Sequence, residues 1–201
     1  MAWSTTVELP APRLRGRASL EEVLAARRSV REYRDAPLTL PEAAQLLWAA
    51  YGVTDDAGHR TAPSAGALYP LEVYLVAARV EGLEPGVYHY LAGPHALQLV
   101  RAGDVRRDLM AAALDQACVG AAAAHVVLAA IYERTTGRYG QRGRRYVHMD
   151  AGHAGQNVCL QAEALQLATV VVGAFDDRRV RTILGLPEGQ EPLYIMPVGR
   201  R

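Results

Sequence analysis

A mixed α+β fold is predicted by three features of the sequence. Apolar runs of strand length and segments with helical periodicity are interspersed along the chain. A Gly93-Pro94 turn separates two short strand-like runs in the manner of a hairpin. No Gly-x-Gly-x-x-Gly follows a first strand, which removes the dinucleotide-binding α/β alternative.

Residues 1–18 are rich in Pro, Arg and Thr and lack periodicity, so they predict an extended N-terminal arm, with residues 19–201 as one domain. Ser19-Leu-Glu-Glu22 is a capping box: Ser19 caps a short helix and Glu22 reaches back to its amide. That helix delivers Arg27 at its end. Thr39-Leu-Pro-Glu42 repeats the signature, and Leu40, Ala43, Ala44, Leu47, Trp48 and Tyr51 follow at helical spacing until Gly52 ends the element. After a loop over 54–60, the run from Leu71 to Ala78 predicts a strand. The hairpin pairs Gly86–Leu91 with Ala96–Val100, and Asp104 can cap a helix running to about Leu114. The most apolar region, Ala111 to Tyr132, predicts a buried helix and then a buried strand from His125 to Ile131. Tyr146 to Leu167 has the length and period of the main helix, on which Gly152 and Gly155 mark a close approach. Strands over Thr169–Val172 and Leu193–Met196 complete the set.

The 201 residues, half of them hydrophobic, can bury the core of a single domain. A formal net charge of +1 gives no global field for nucleic acid. All 22 basic residues are Arg, a bias attributed to a GC-rich genome or a hot habitat before function. The first residues lack a signal-peptide pattern and no apolar run approaches the ~18 residues of a membrane helix, so a soluble, cytoplasmic protein is expected. Cys118 and Cys159 lack metal or redox spacing and are expected as buried free thiols. His148 and His153, even with Asp150 between them, stand five apart on a helix and diverge, so no metal site is expected.

Arg27-Arg28-Ser29-Val30-Arg31 gathers three guanidiniums and a hydroxyl within five residues, the material of an anion site. The alternative is a basic last turn that suits the negative end of the helix dipole. Pro63-Ser64-Ala65-Gly66-Ala67-Leu68-Tyr69-Pro70 is either a turn before a strand or a loop whose small residues admit a flat ligand. Val170-Val-Val-Gly-Ala-Phe175 sets Gly173 and Ala174 at a strand end, and Pro197-Val-Gly-Arg200 closes the chain. Phe175, the only Phe, suits a pocket wall or the core equally. Arg138, Arg142, Arg144 and Arg145 form either a solvated basic loop or part of a site.

Taken together and in this order, these stretches resemble the nitroreductase family of flavin (FMN) enzymes. The segment 138–157 beside the Ser64–Pro70 motif looks most like its SagB-type dehydrogenase branch. The resemblance implies a nitroreductase-like α+β fold, a central mixed or antiparallel sheet flanked by helices, with two FMN molecules at the interface of a homodimer. It implies that Arg27, Arg28 and Arg200 bind the phosphate, Ser29 the ribityl or phosphate region, and Arg31 the pyrimidine edge. Pro63, Ser64, Ala65, Gly66 and Leu68 would lie along the isoalloxazine, while the amides of Gly173 and Ala174 would point at N5 and O4. Many nitroreductases carry Asn and then Gln-Pro-Trp where this chain has Ala67 and Leu68-Tyr69-Pro70. SagB-type azoline dehydrogenases carry a Lys-Tyr pair where this chain has Arg138-Tyr139, which leaves Tyr139 as the candidate catalytic side chain. The implied function is an FMN-dependent oxidoreductase, with NAD(P)H as donor and a small-molecule acceptor in a ping-pong scheme. The alternatives are a SagB-like oxidation of a peptide-derived heterocycle and a flavin-binding or structural dimer without turnover.

Overall fold

A computed structural model of the protein describes residues 6–201; residues 1–5 of the expected arm lie outside the described residues. The arm adds a strand, β1 (Thr6–Glu8), to the sheet edge. Helix α1 (Leu20–Ala26) begins with the full capping box, since Ser19 Oγ accepts from the Glu22 amide and Glu22 accepts from the Ser19 amide at 2.7 Å. Helix α2 (Leu40–Tyr51) repeats it with Thr39 and Glu42, and Gly52 is its C-cap. Strands β2 (Leu71–Ala77), β3 (Gly86–Leu91) and β4 (Ala96–Ala102) form a meander, followed by α3 (Arg106–Ala112) and α4 (Ala117–Ala121). Next come β5 (Ala124–Ile131), α5 (Glu133–Tyr139), the 23-residue α6 (Arg142–Ala164) and β6 (Leu167–Thr169). Helix α7 (Asp177–Leu184) and the 11-residue β7 (Gln190–Arg200) end the fold.

The seven strands form one sheet in the order β1-β4-β3-β2-β5-β7-β6, every neighbouring pair antiparallel. Both faces of its centre are covered. Val73, Leu75, Val126 and Leu128 pack with α2 and α6, whereas Tyr74, Val76, Val127 and Ala129 pack with α3 and α7. A strand buried on both sides needs apolar residues along its length, which is why β5 is apolar throughout except at His125. Burial lowers the imidazole of that residue to about 4, so it is neutral, with Nε2 at 2.7 Å from the Val119 carbonyl.

Several boundaries differ from the sequence expectation. The main helix starts at Arg142 rather than Tyr146, and β6 covers Leu167–Thr169 rather than Thr169–Val172. Beyond Thr169 the chain leaves the sheet and bridges β7 again at Val172–Ile195. Of the two helix glycines, Gly155 lies under the ring of Tyr194, which a Cβ there would meet at 3.3 Å, whereas Gly152 faces open space. Both cysteines are buried and free.

Candidate active site

The loop between α2 and β2 is fixed by side chains from α5 and α6. Asp150 is 3% exposed on the inner stripe of α6 and accepts a 2.6 Å hydrogen bond from Ser64 Oγ. The same Oγ accepts from the Tyr69 amide at 3.0 Å, so its single proton must point at Asp150. The Ala65 amide also donates to the carboxylate. Burial raises the Asp150 carboxyl above its ordinary value, and the bonds from Ser64 and Ala65 oppose that rise. Asn157 donates to the Thr61 carbonyl at 3.0 Å, and Arg134 donates to the Tyr69 carbonyl at 3.1 Å while pairing with Glu72 at 2.6 Å.

These anchors hold an unusual backbone. Gly66, Ala67 and Tyr69 have φ of 64°, 53° and 46°. For Ala67 and Tyr69 such left-handed geometry costs on the order of 1 kcal/mol each and persists only where the surroundings enforce it. At Gly66 a Cβ would lie 2.6 Å from the Tyr139 hydroxyl and 3.3 Å from Arg138 Nη1. The Tyr139 phenol therefore sits directly against this loop.

The basic segment belongs to a second group. Val30 donates to the Thr169 carbonyl at 3.0 Å, tying residues 27–31 to β6, four residues before Gly173. Arg27 caps the C-terminus of α1 and lies near Cys159, whose thiol is raised by burial and lowered in part by that guanidinium. Among the described residues, the side chains of Arg27, Ser29 and Arg31 and the amides of Gly173 and Ala174 have no hydrogen-bond or ion-pair partner. Phe175 is half-buried against the α3–α7 core.

Two expected phosphate ligands are occupied elsewhere. Arg200 forms a two-pronged ion pair with Glu42, at 2.6 and 2.8 Å, and donates to the Pro37 carbonyl at 3.1 Å. Against the desolvation of partial burial, the bonds from Arg200 and Thr39 hold the Glu42 carboxyl below its ordinary value. Such a fork-to-carboxylate pair leaves Arg200 no free face for phosphate. Arg28 turns back onto the carbonyls of Ala25 and Arg27 at 2.9 and 2.8 Å, closing the end of α1. A cleft of about 1730 Å³ lies between the arm, α1, α2 and α6, with Thr61 and Asn157 in its wall. A smaller hollow of about 540 Å³ beside the basic segment is lined by Arg28, Glu32, Tyr33 and Arg34.

On one chain the two groups are separated by α6. Tyr194 packs between Gly155 and Gly173, and at 3.6 residues per turn Gly155 points roughly 140° away from Asp150 and roughly 160° away from Asn157. No hydrogen bond or ion pair among the described residues joins residues 27–31 or 173–174 to residues 63–68 or Tyr139.

This sheet and this paired arrangement are accompanied by a match over residues 24–200 to the model of the nitroreductase family. The chain belongs to that family. It is 50% identical over 196 residues, 98% of either chain, to a Methanocaldococcus jannaschii protein designated a nitroreductase. An Anabaena variabilis structure given the same designation superposes with a TM-score of 0.87 at 32% identity, covering 98% of this chain and 42% of that one. The chain also shares 32% identity over 136 residues with the Escherichia coli microcin B17-processing protein McbC, 64% of this chain and 49% of McbC. The nitroreductase-like α+β fold and an oxidoreductase lineage follow from these relations.

The residues fit the flavin that the family implies. Free amides in the segment after β6, guanidiniums without partners among the described residues on the segment tied to that strand, and a loop whose Gly66 has no room for a side chain are the donors, cations and bare backbone that such a cofactor uses. Asp150 escaped the sequence reading except as a discarded metal ligand; its signal was a carboxylate on the inner stripe Val147, Ala151, Ala154, Val158. His148 lies 2.6 Å from the Tyr132 hydroxyl, apart from Asp150's partners. Tyr194, wedged between two glycines, gave no sequence signal.

Proposed function

We propose that the protein is an FMN-dependent oxidoreductase that acts as a homodimer in the cytoplasm, with residues 19–201 as its single domain. The observation that carries this reading is the pair of unengaged amides at Gly173 and Ala174, tied through Thr169 and Val30 to guanidiniums that lack partners. FMN, when bound, supplies hydride acceptance and donation at its N5 atom. Arg27 and Ser29 would bind the phosphate and ribityl chain, Arg28 adding charge from the helix end. Arg31 would face the pyrimidine edge, where a cation favours the reduced, negatively charged state. The Gly173 and Ala174 amides would donate to N5 and O4. Pro63, Ser64, Ala65, Gly66 and Leu68 would lie along the ring system, and Tyr139 would donate or orient a proton at the substrate. NAD(P)H and a small-molecule acceptor would occupy the same place in turn.

The placement of the two groups on opposite sides of α6 favours a second copy: the loop of one chain would complete the basic segment of the other. The outer stripe of α6, with Met149 50% exposed and open space over Gly152, together with exposed Leu20 and Leu24 on α1, offers the apolar surface for it. Denaturing the purified protein should release FMN, identified by mass, at one per chain, from a species that sediments as two chains. FAD, or no flavin after incubation with FMN, would contradict the assignment.

The likeness to McbC favours one second reading, a SagB-like dehydrogenase acting on a peptide-derived heterocycle. Arg138 counts against it, because a guanidinium with pKa above ~12 is a poor base where a lysine could be tuned.

A further inference from the structure

The guanidiniums gathered above Gly66 form no ion pair with an acid among the described residues. Helix α5 ends at Tyr139, and Gly140, at φ 56°, turns the chain into α6 so that Arg138, Tyr139, Arg142 and Tyr146 gather beside the loop. The two phenol rings meet edge to face at 5.2 Å. The Arg138 guanidinium stands 5.5 Å from the centre of the Tyr139 ring, and that of Arg142 stands 5.8 Å from Tyr146. Arg138 also reaches the backbone of Gly66, where its Nη1 is 3.3 Å from the position of a Cβ.

Elsewhere several arginines pair with acids, among them Arg79 with Asp35, Arg106 with Asp104, Arg134 with Glu72, Arg200 with Glu42 and Arg201 with Glu163, while Arg60 and Arg101 donate to backbone carbonyls. Arg144, the neighbour on α6, reaches Glu191 at 3.9 Å. Arg138 and Arg142 have neither a carboxylate partner nor a hydrogen-bond acceptor among the described residues. A guanidinium keeps its charge at every working pH, and its planar fork matches the two oxygens of a carboxylate. Stacking on a phenol restricts its rotamers before a ligand arrives, which lowers the entropy lost on binding. The tyrosine rings supply an apolar wall for a flat molecule.

Resting on the reading that the flavin lies along residues 63–66, we propose that Arg138, with Arg142 behind it, is an anion clamp that selects a planar acceptor bearing a carboxylate. This gives the arginine at the SagB lysine position a task that needs permanent charge rather than proton transfer.

The test is equilibrium binding to the oxidised, flavin-loaded protein, without reductant, of 4-nitrobenzoate and its neutral counterpart 4-nitrobenzamide, followed by calorimetry. The wild type should bind the carboxylate about fivefold tighter than the amide, the scale of one partly exposed ion pair. In Arg138→Gln the ratio should fall to about one, and Arg138→Lys should retain part of it. Raising the salt should shrink the wild-type ratio by screening. Equal binding of the two probes by the wild type, no binding of either, or an undiminished ratio in Arg138→Gln would overturn the clamp. Protein that never shows flavin absorption would instead remove the flavin reading on which it rests.

Discussion

Asp150→Ala is expected to lose most of its bound flavin and to unfold about 1 kcal/mol more easily than the wild type, because two half-buried donors lose their acceptor. The Ser64 hydroxyl cannot turn to another partner without abandoning the Tyr69 amide, which donates to its oxygen at 3.0 Å. The Ala65 amide loses the same carboxylate. With them goes the constraint that keeps Ala67 and Tyr69 left-handed, so the loop relaxes away from the geometry in which Gly66 faces Tyr139. Asp150→Asn separates hydrogen bonding from charge, since its amide oxygen can still accept from Ser64. Burial raises the Asp150 carboxyl in the folded state, so its contribution to stability is fully present below its unfolded value and is lost as pH rises through its folded value. The Asn variant should therefore lack this part of the acid-range slope, keep flavin and be at least as stable as wild type near neutrality. Denaturant unfolding across pH, with flavin content read on the same samples, checks all three statements. An Ala variant with wild-type flavin content and stability would show that the loop is held without Asp150.

Arg27→Ala is expected to weaken FMN binding about 10- to 100-fold while leaving the fold intact, the scale of one charge-assisted hydrogen bond to a phosphate. The fold should survive because the side chain has no partner among the described residues and the capping bond of this position, amide to the Val23 carbonyl, belongs to the backbone. Arg28→Ala should cost less affinity and more helix stability, since that guanidinium closes α1 through the carbonyls of Ala25 and Arg27. Fluorescence titration of flavin-free protein with FMN, beside thermal unfolding of each variant, distinguishes the two roles. Wild-type affinity in Arg27→Ala would remove the phosphate assignment.

The parts of the fold that were legible in sequence are those written in local spacing. Both capping boxes lie within four residues, and both formed. Strand β5 announced its burial through an apolar run interrupted only by His125. Helix α6 begins four residues early because Gln141 is already helical and caps nothing with its side chain, so no start signal exists to read. Helix α5 buries only Thr135, too little for an apolar period. Helix α7 carries its signals, an Asp176 cap and a left-handed Gly185, over only eight residues that directly follow the Gly173–Phe175 motif. At the site, the loop and Tyr139 were legible as motifs. The diversion of Arg200 to Glu42 was not, because partners 158 positions apart leave no trace in a single sequence. The separation of the two groups across α6 likewise arises only from the packing of Tyr194 between Gly155 and Gly173.

The most direct test is the visible absorption spectrum of the purified protein, recorded without oxygen before and after addition of NADH or NADPH. Oxidised-flavin bands that bleach on addition of the nucleotide are the expected result. Colourless protein that acquires no bands after incubation with FMN would contradict the assignment of Arg27, Arg31, Gly173 and Ala174 to a flavin.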